Sequence, residues 1–239
     1  MKWIYLIYVV ISLILGSAYY FLTRNIWLTV ALILAITCFL LFYFDSKRKK
    51  FYRVMNRTYE AINFINNFII SLSVSSSLNT ALTNAKNSTS EVLQRQIDSI
   101  EHLAVEDRID YLYGYFDIEL YGVFINIIKQ YTFNGGDIIK ISQLLMRDSR
   151  NLEDRMHDYQ VNLKHKFMDF TISWGLTIIV LFAMHFSLKN LTANPTDFAL
   201  YPILIFIFFF LLMANFALLI SKAFDASFIA KGDKNGKRS

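Results

Sequence analysis

Cysteine, proline and glycine are all scarce in this chain of 239 residues, which holds one, two and eight of them. A lone cysteine, Cys38, excludes a disulfide framework within the chain. Its place in an apolar run reads as a small lipid- or helix-facing residue. The prolines, Pro195 and Pro202, lie close together. Nothing before them therefore stops a helix by removing a backbone donor. The glycines form no phosphate-cradling loop followed by Lys and Ser or Thr, which argues against nucleotide hydrolysis by the chain itself. His102, His157, His165 and His185 form no ligand-spaced pair, and no His–Cys metal pattern is present. No catalytic residue, metal or cofactor is assigned, and the chain is read as a non-enzyme.

What the chain has in excess is apolar length. Hydrophobic residues make up 55% of it, concentrated in four runs: Trp3–Leu22, Ile26–Phe44, Phe170–Leu188 and Ala199–Ile220. About 20 mostly apolar residues cross about 30 Å of hydrocarbon as a helix. Each run approaches or meets that length. The first lacks a small-x-small cleavage site, and a second follows almost at once, so it is read as a span rather than a removable leader.

The net charge of +5 is unevenly placed. Lys47, Arg48, Lys49, Lys50 and Arg53 follow the second run. Lys164 and Lys166 precede the third, and Lys222, Lys231, Lys234, Lys237 and Arg238 follow the fourth. Phe51–Leu163 holds ten Lys and Arg against fourteen Asp and Glu. The basic excess is thus juxtamembrane, suited to anionic membrane lipids and not to nucleic acid. By the positive-inside rule, both termini and the central stretch lie in the cytoplasm. The expected architecture is an all-α membrane protein: a transmembrane hairpin over 1–45, a cytoplasmic helical domain over 46–167, a second hairpin over 168–222 and a basic cytoplasmic tail over 223–239.

Between Phe51 and Lys166 apolar residues recur at helical spacing without proline, predicting five or six helices. Val54, Met55, Tyr59, Ile62, Ile65 and Ile69 mark the first, broken by the serines of 71–77. Ser76 or Ser77 caps a short helix bearing Leu78, Ala81, Leu82 and Ala85. Ser88-Thr89-Ser90-Glu91 reads as a capping box with Ser88 as N-cap, and Val92, Leu93, Ile97 and Ile100 then face inward. Segments over about 105–115 and 117–131 follow. The latter is closed by Asn134-Gly135-Gly136-Asp137, a helix–Gly-Gly–helix corner with Asp137 at the next helix start. That helix, about 137–166, carries Ile138, Ile141, Leu144, Leu145, Leu152 and Met156 on one stripe. Arg147, Asp148, Arg150, Glu153, Asp154 and Arg155 lie on the other face, and the helix runs toward the third apolar run with little interruption.

The layout, the stretch Phe68–Leu82 and the stretch Ile127–Leu144 with its Gly-Gly-Asp corner together resemble the type II secretion system F-domain family. Its members are platform proteins of type II secretion, type IV pili and Tad/Flp pili; the paired spans are most similar to TadB and TadC. In the first stretch serine, over Ser75–Ser77, stands where the family's pattern has glycine. The resemblance implies a non-catalytic platform in the bacterial cytoplasmic (inner) membrane. It would couple a cytoplasmic secretion or pilus ATPase to pilin-like subunits, as a homo-oligomer or with a related platform protein. Gly135, Gly136, Asp137, Arg147, Arg150 and Arg155 are the motif and coupling residues it implies.

In the spans, Asn215 stands out as a candidate intramembrane polar contact and His185 as a polar group near a span end. Asn215 has two readings, an interhelical hydrogen bond or contact with a translocating pilin helix. The phenylalanines over 206–210 read as lipid-facing bulk. Carboxylates over 101–119 read as a solvated face or docking patch. The competing function is a subunit of an oligomeric transporter or channel, which would need polar residues or broken helices at mid-membrane.

Overall fold

In the computed structural model, residues 2–134, 138–191 and 200–225 are described, and all the secondary structure among them is helical. The helices are α1 (Lys2–Thr23), α2 (Ile26–Cys38), α3 (Asp45–Ser75), α4 (Leu78–Asn87), α5 (Glu91–Ser99), α6 (Val105–Tyr111), α7 (Tyr113–Phe116), α8 (Glu119–Asn134), α9 (Ile138–Leu191) and α10 (Tyr201–Ala223). Four helical stretches are long and apolar enough to cross a membrane, within Tyr5–Thr23, Ile26–Ser75, Ser142–Ser187 and Tyr201–Ala223. The chain divides into two compact units. One comprises Met1–Lys50 with Val161–Asp225; the other comprises Phe51–Gln160 among the described residues.

In the first unit α1 and α2 are joined through Arg24 and Asn25. Asn25 caps α2 by accepting from the Leu28 N–H at 3.2 Å. The two helices run antiparallel. Tyr5 faces Asp45, the Ser12 hydroxyl accepts from the Thr37 hydroxyl at 2.9 Å, and Gly16 lies against Ile33. A Cβ on Gly16 would fall 2.3 Å from Ile33 Cγ1, so hydrogen there sets how closely the helices approach. Their buried side chains Tyr19, Leu22 and Leu32, with Leu40 just beyond α2, form one cluster with Ile205 and Phe209 of α10. Phe216 of α10 stacks on Phe170 of α9 with ring centres 5.2 Å apart and on Phe44 at 5.9 Å. Among the phenylalanines of 206–210, Phe210 faces outward, but Phe209 is buried against Tyr19 at 5.8 Å. The reading of that run as lipid-facing bulk is corrected here: Phe209 fills the space between helices, and Phe206 and Phe208 pack against the same cluster.

Between α2 and α3 the backbone changes pitch. Phe39–Phe44 is a π-helical segment, and the Asp45 N–H donates to the Leu40 carbonyl five residues back. Such segments are rare and usually short.

The second unit is built around rings. Phe64 and Phe68 of α3, Phe116 of α7, and Tyr121 and Phe124 of α8 are buried in mutual contact at 4.7–6.2 Å. Leu82, Leu93, Ile97, Ile109, Ile128 and Met156 are buried as well. Ser77 caps α4 as expected, its side chain accepting from the Thr80 N–H. The capping box at Ser88 does not form. Ser88 lies at the C-terminal end of α4, and Ser90 caps α5 instead, leaving Glu91 as the first helical residue. Ser90 is favoured because its own N–H is taken by the Glu60 carboxylate at 2.9 Å, which anchors the chain one residue before the helix. With that register Val92 points outward at 66% exposure, while Leu93, Ile97 and Ile100 are buried.

Candidate functional site

Of the residues singled out from sequence, Gly135, Gly136 and Asp137 lie outside the described residues, as does the tail beyond Asp225. The basic residues that follow them can be placed. Within the second unit α9 buries Ser142, Leu145, Ser149, Leu152 and Met156, alternating three and four residues apart. This is the spacing that keeps one seam of a helix in contact with its neighbours. Leu144 falls off that seam and is 54% exposed, which corrects its assignment to the inward stripe. Arg147, Arg150 and Arg155 all lie outside the seam and are exposed, interspersed with exposed Asp148, Glu153 and Asp154. Arg155 Nε donates to the Asn151 carbonyl at 3.3 Å, and neither Arg147 nor Arg150 has an ion pair with a described residue. With no ion pair to a described residue, Arg147 and Arg150 present their guanidinium donors to an external carboxylate or phosphate.

The serines of 75–77 lie at the turn from α3 to α4. Ser76 has φ 52°, in the left-handed region, between the end of α3 and the cap of α4. Its N–H still reaches back to the Leu72 carbonyl at 3.0 Å. This geometry usually selects glycine, because a Cβ crowds the following carbonyl.

Asp45 is a further polar site, outside the sequence-based expectations. It lies where the π segment passes into α3 and is only 4% exposed, yet it carries a carboxylate. Lys49 Nζ stands 2.6 Å from Oδ2 and Arg48 Nη2 3.2 Å from Oδ1, while the Tyr5 hydroxyl of α1 approaches Oδ2 at 3.4 Å. A buried carboxylate is tolerated only with such partners. It pairs with two of the five cations after the second apolar run and offsets one unit of their charge. An acid followed at +3 and +4 by bases is a helical ion-pair signal visible in sequence.

The two polar groups of the later spans behave differently. His185 is 8% exposed, and its Nδ1 is 2.9 Å from the Tyr201 hydroxyl, a polar contact between α9 and α10. Asn215 faces outward from α10, and its amide makes no hydrogen bond to a described residue. Among the described residues no three His, Cys, Asp or Glu side chains gather as a metal site. Cys38 is exposed.

The second unit also contains a clamp on Glu60. Its carboxylate accepts from the Ser90 N–H and from the Tyr115 hydroxyl, each at 2.9 Å, tying α3 to the start of α5 and to α7. Arg57 lies over the Tyr115 ring at 5.1 Å. Burial pushes the Tyr115 hydroxyl above its ordinary pKa, and the neighbouring Glu60 charge acts the same way.

Compared with known proteins, the chain matches no family model, and neither a curated protein nor a solved structure is significantly similar to it.

Proposed function

We propose that this chain is a non-catalytic membrane platform subunit of a type II secretion or Tad-type pilus machine, coupling a cytoplasmic ATPase to the assembly or export of pilin-like subunits. In this reading α1 with α2 and α9 with α10 are two membrane hairpins. Residues 46–167 and both termini face the cytoplasm of a bacterium, and the machine sits in its inner membrane. The observation that carries the reading is the continuity of α9. One helix of 54 residues holds the exposed arginines Arg147, Arg150 and Arg155 in one stretch and a membrane-length apolar segment further on. A helix resists axial compression through every intervening hydrogen bond, at about 1.5 Å rise per residue. Force or rotation applied by an ATPase at the arginines would therefore reach the apolar part without passing through a loop.

Mild-detergent purification of the tagged chain from native membranes, followed by mass spectrometry, tests the role. Recovery of a secretion-type ATPase with small pilin-like proteins is the expected outcome. Good yield with no ATPase would defeat it. The lever is tested separately by inserting Gly-Pro-Gly near Lys164. Assembly should stop while ATPase recovery persists, and normal assembly would sink the idea.

A further inference from the structure

Asn215 sits well inside α10. About 21 Å of helix separates it from Tyr201 and about 12 Å from Ala223, at about 1.5 Å per residue. Its side chain is too short to reach either interface from there. It points away from the unit and has no hydrogen-bonding partner among the described residues. In hydrocarbon an unmet amide is costly, which makes such a group a driver of helix association.

The surface around it fits a helix. Leu204, Ile207, Leu211, Asn215 and Leu218 are all exposed and follow one another at three- and four-residue steps along one side of α10. A polar amide within an otherwise apolar stripe of this spacing fixes the register and number of associating helices. Among the described residues of the later spans, Trp174 Nε1 is buried without a hydrogen bond. It can only donate, and it is enclosed within its own unit.

We infer that two copies of this chain associate in the membrane through this stripe of α10, with the Asn215 amides of the two copies hydrogen-bonded to one another. Copies inserted by the same route have the same orientation, so the two α10 helices meet in parallel and both residues 215 lie at one depth. The amide is self-complementary, each offering an N–H donor and a C=O acceptor. A two-fold axis then satisfies both groups at once, as an isologous interface requires. Any other partner would have to carry its own polar group at that depth. The inference rests on α10 crossing a bilayer but not on the role in secretion.

The test uses the full chain in its native membrane with Cys38→Ala as background and Leu211→Cys or Leu218→Cys as reporters flanking Asn215. Both should be protected from a membrane-impermeant maleimide and should cross-link between copies on mild oxidation. Adding Asn215→Leu should weaken self-association roughly 5- to 30-fold, whereas Asn215→Gln, which keeps the amide, should retain it. Protected reporters that never cross-link overturn the pairing alone and point to a pilin-like helix or another occupant, and cross-linking undiminished by Asn215→Leu overturns the amide pair as what holds the copies together. Reporters open to the maleimide overturn it together with the membrane placement of α10.

Discussion

The two units solve the same packing problem with opposite distributions of polarity. In Phe51–Gln160 the rings of Phe64, Phe68, Phe116, Tyr121 and Phe124 are inside and the charges outside. In the other unit the outward face is itself apolar: Leu6, Ile14, Leu34, Ile172, Leu176, Ile179 and Leu218 are all exposed. What is enclosed there includes polar contacts, Ser12 with Thr37, the Tyr19 hydroxyl on the Pro202 carbonyl at 2.9 Å, and His185 with Tyr201. The first pattern is that of a domain folded by removing apolar surface from water. The second suits a solvent as apolar as the side chains, where close approach and hydrogen bonds, rather than water exclusion, hold helices together. Large-to-small changes should therefore be worst in the second unit, and small-to-large changes at contacts worst in the first.

The largest effect is expected at Phe64, fully buried among four other rings. Phe64→Ala removes that shared contact and should cost about 3–5 kcal/mol. In the detergent-solubilised full chain, hydrogen exchange read peptide by peptide should rise across Phe51–Gln160. Equal protection loss in α1 and α2 would contradict their separate cohesion.

The converse change is Gly16→Val. Its Cβ would meet Ile33 Cγ1 and Cδ1 at 2.3 and 2.5 Å, and over-packing of this kind costs about 1–3 kcal/mol. Exchange should rise in α1 and α2. Adding Ile33→Ala, which clears the space, should restore part of the loss. No recovery in the double variant would show that Gly16 serves something other than close approach to Ile33.

The parts of this contrast that could be read from sequence are those that depend on one element alone. Four apolar runs, a serine cap at 76 or 77, and a helix continuing through Lys164 and Lys166 follow from composition and local spacing. What escaped depended on a distant partner. Ser88 satisfies the capping-box pattern better than Ser90, but Glu60, thirty residues earlier, fixes the chain at the Ser90 N–H and moves the start of α5. That shift turns Val92 outward. Leu144 was misplaced because a broad stripe and a narrow three-four seam differ by only part of a turn, and contacts from other helices decide between them. The π segment Phe39–Phe44 leaves no mark in hydropathy, since the pitch of a helix does not change how apolar its residues are. Asp45 was legible through Arg48 and Lys49, though its burial was not, because that depends on α1. The inward side of Phe209 likewise required Tyr19.

A smaller effect separates hydrogen bonding from burial in the second unit. The Tyr121 hydroxyl donates to the Ile109 carbonyl at 2.9 Å. Burial, and then the Asp110 charge, pushes the hydroxyl well above its ordinary pKa. The neutral phenol is thus the form that folds. Its contribution is complete below the unfolded value of about 10 and is lost as pH rises from there toward the raised folded value. Tyr121→Phe should cost about 1–3 kcal/mol at neutral pH, by leaving a buried carbonyl unmet. It should also flatten the alkaline decline in the melting midpoint of this unit. An unchanged alkaline decline would assign that decline to Tyr115 or Tyr59, whose hydroxyls burial also raises.

The smallest change acts on backbone conformation and not on contacts. Ser76 holds φ 52° at the turn from α3 to α4, a region that costs an L-residue about 1–2 kcal/mol. Ser76→Gly removes that cost but adds back about 0.5–1 kcal/mol of backbone freedom in the unfolded chain. A net gain of about 0.5 kcal/mol should follow, seen as slower exchange in α4 with no change in α1 or α2. Ser76→Val should shift stability the other way, because a branched side chain crowds this region further. If the glycine variant is less stable than the parent, the serine hydroxyl contributes at this turn beyond its backbone angle. Serine at this turn would then be a gain in local bonding, not a tolerated strain.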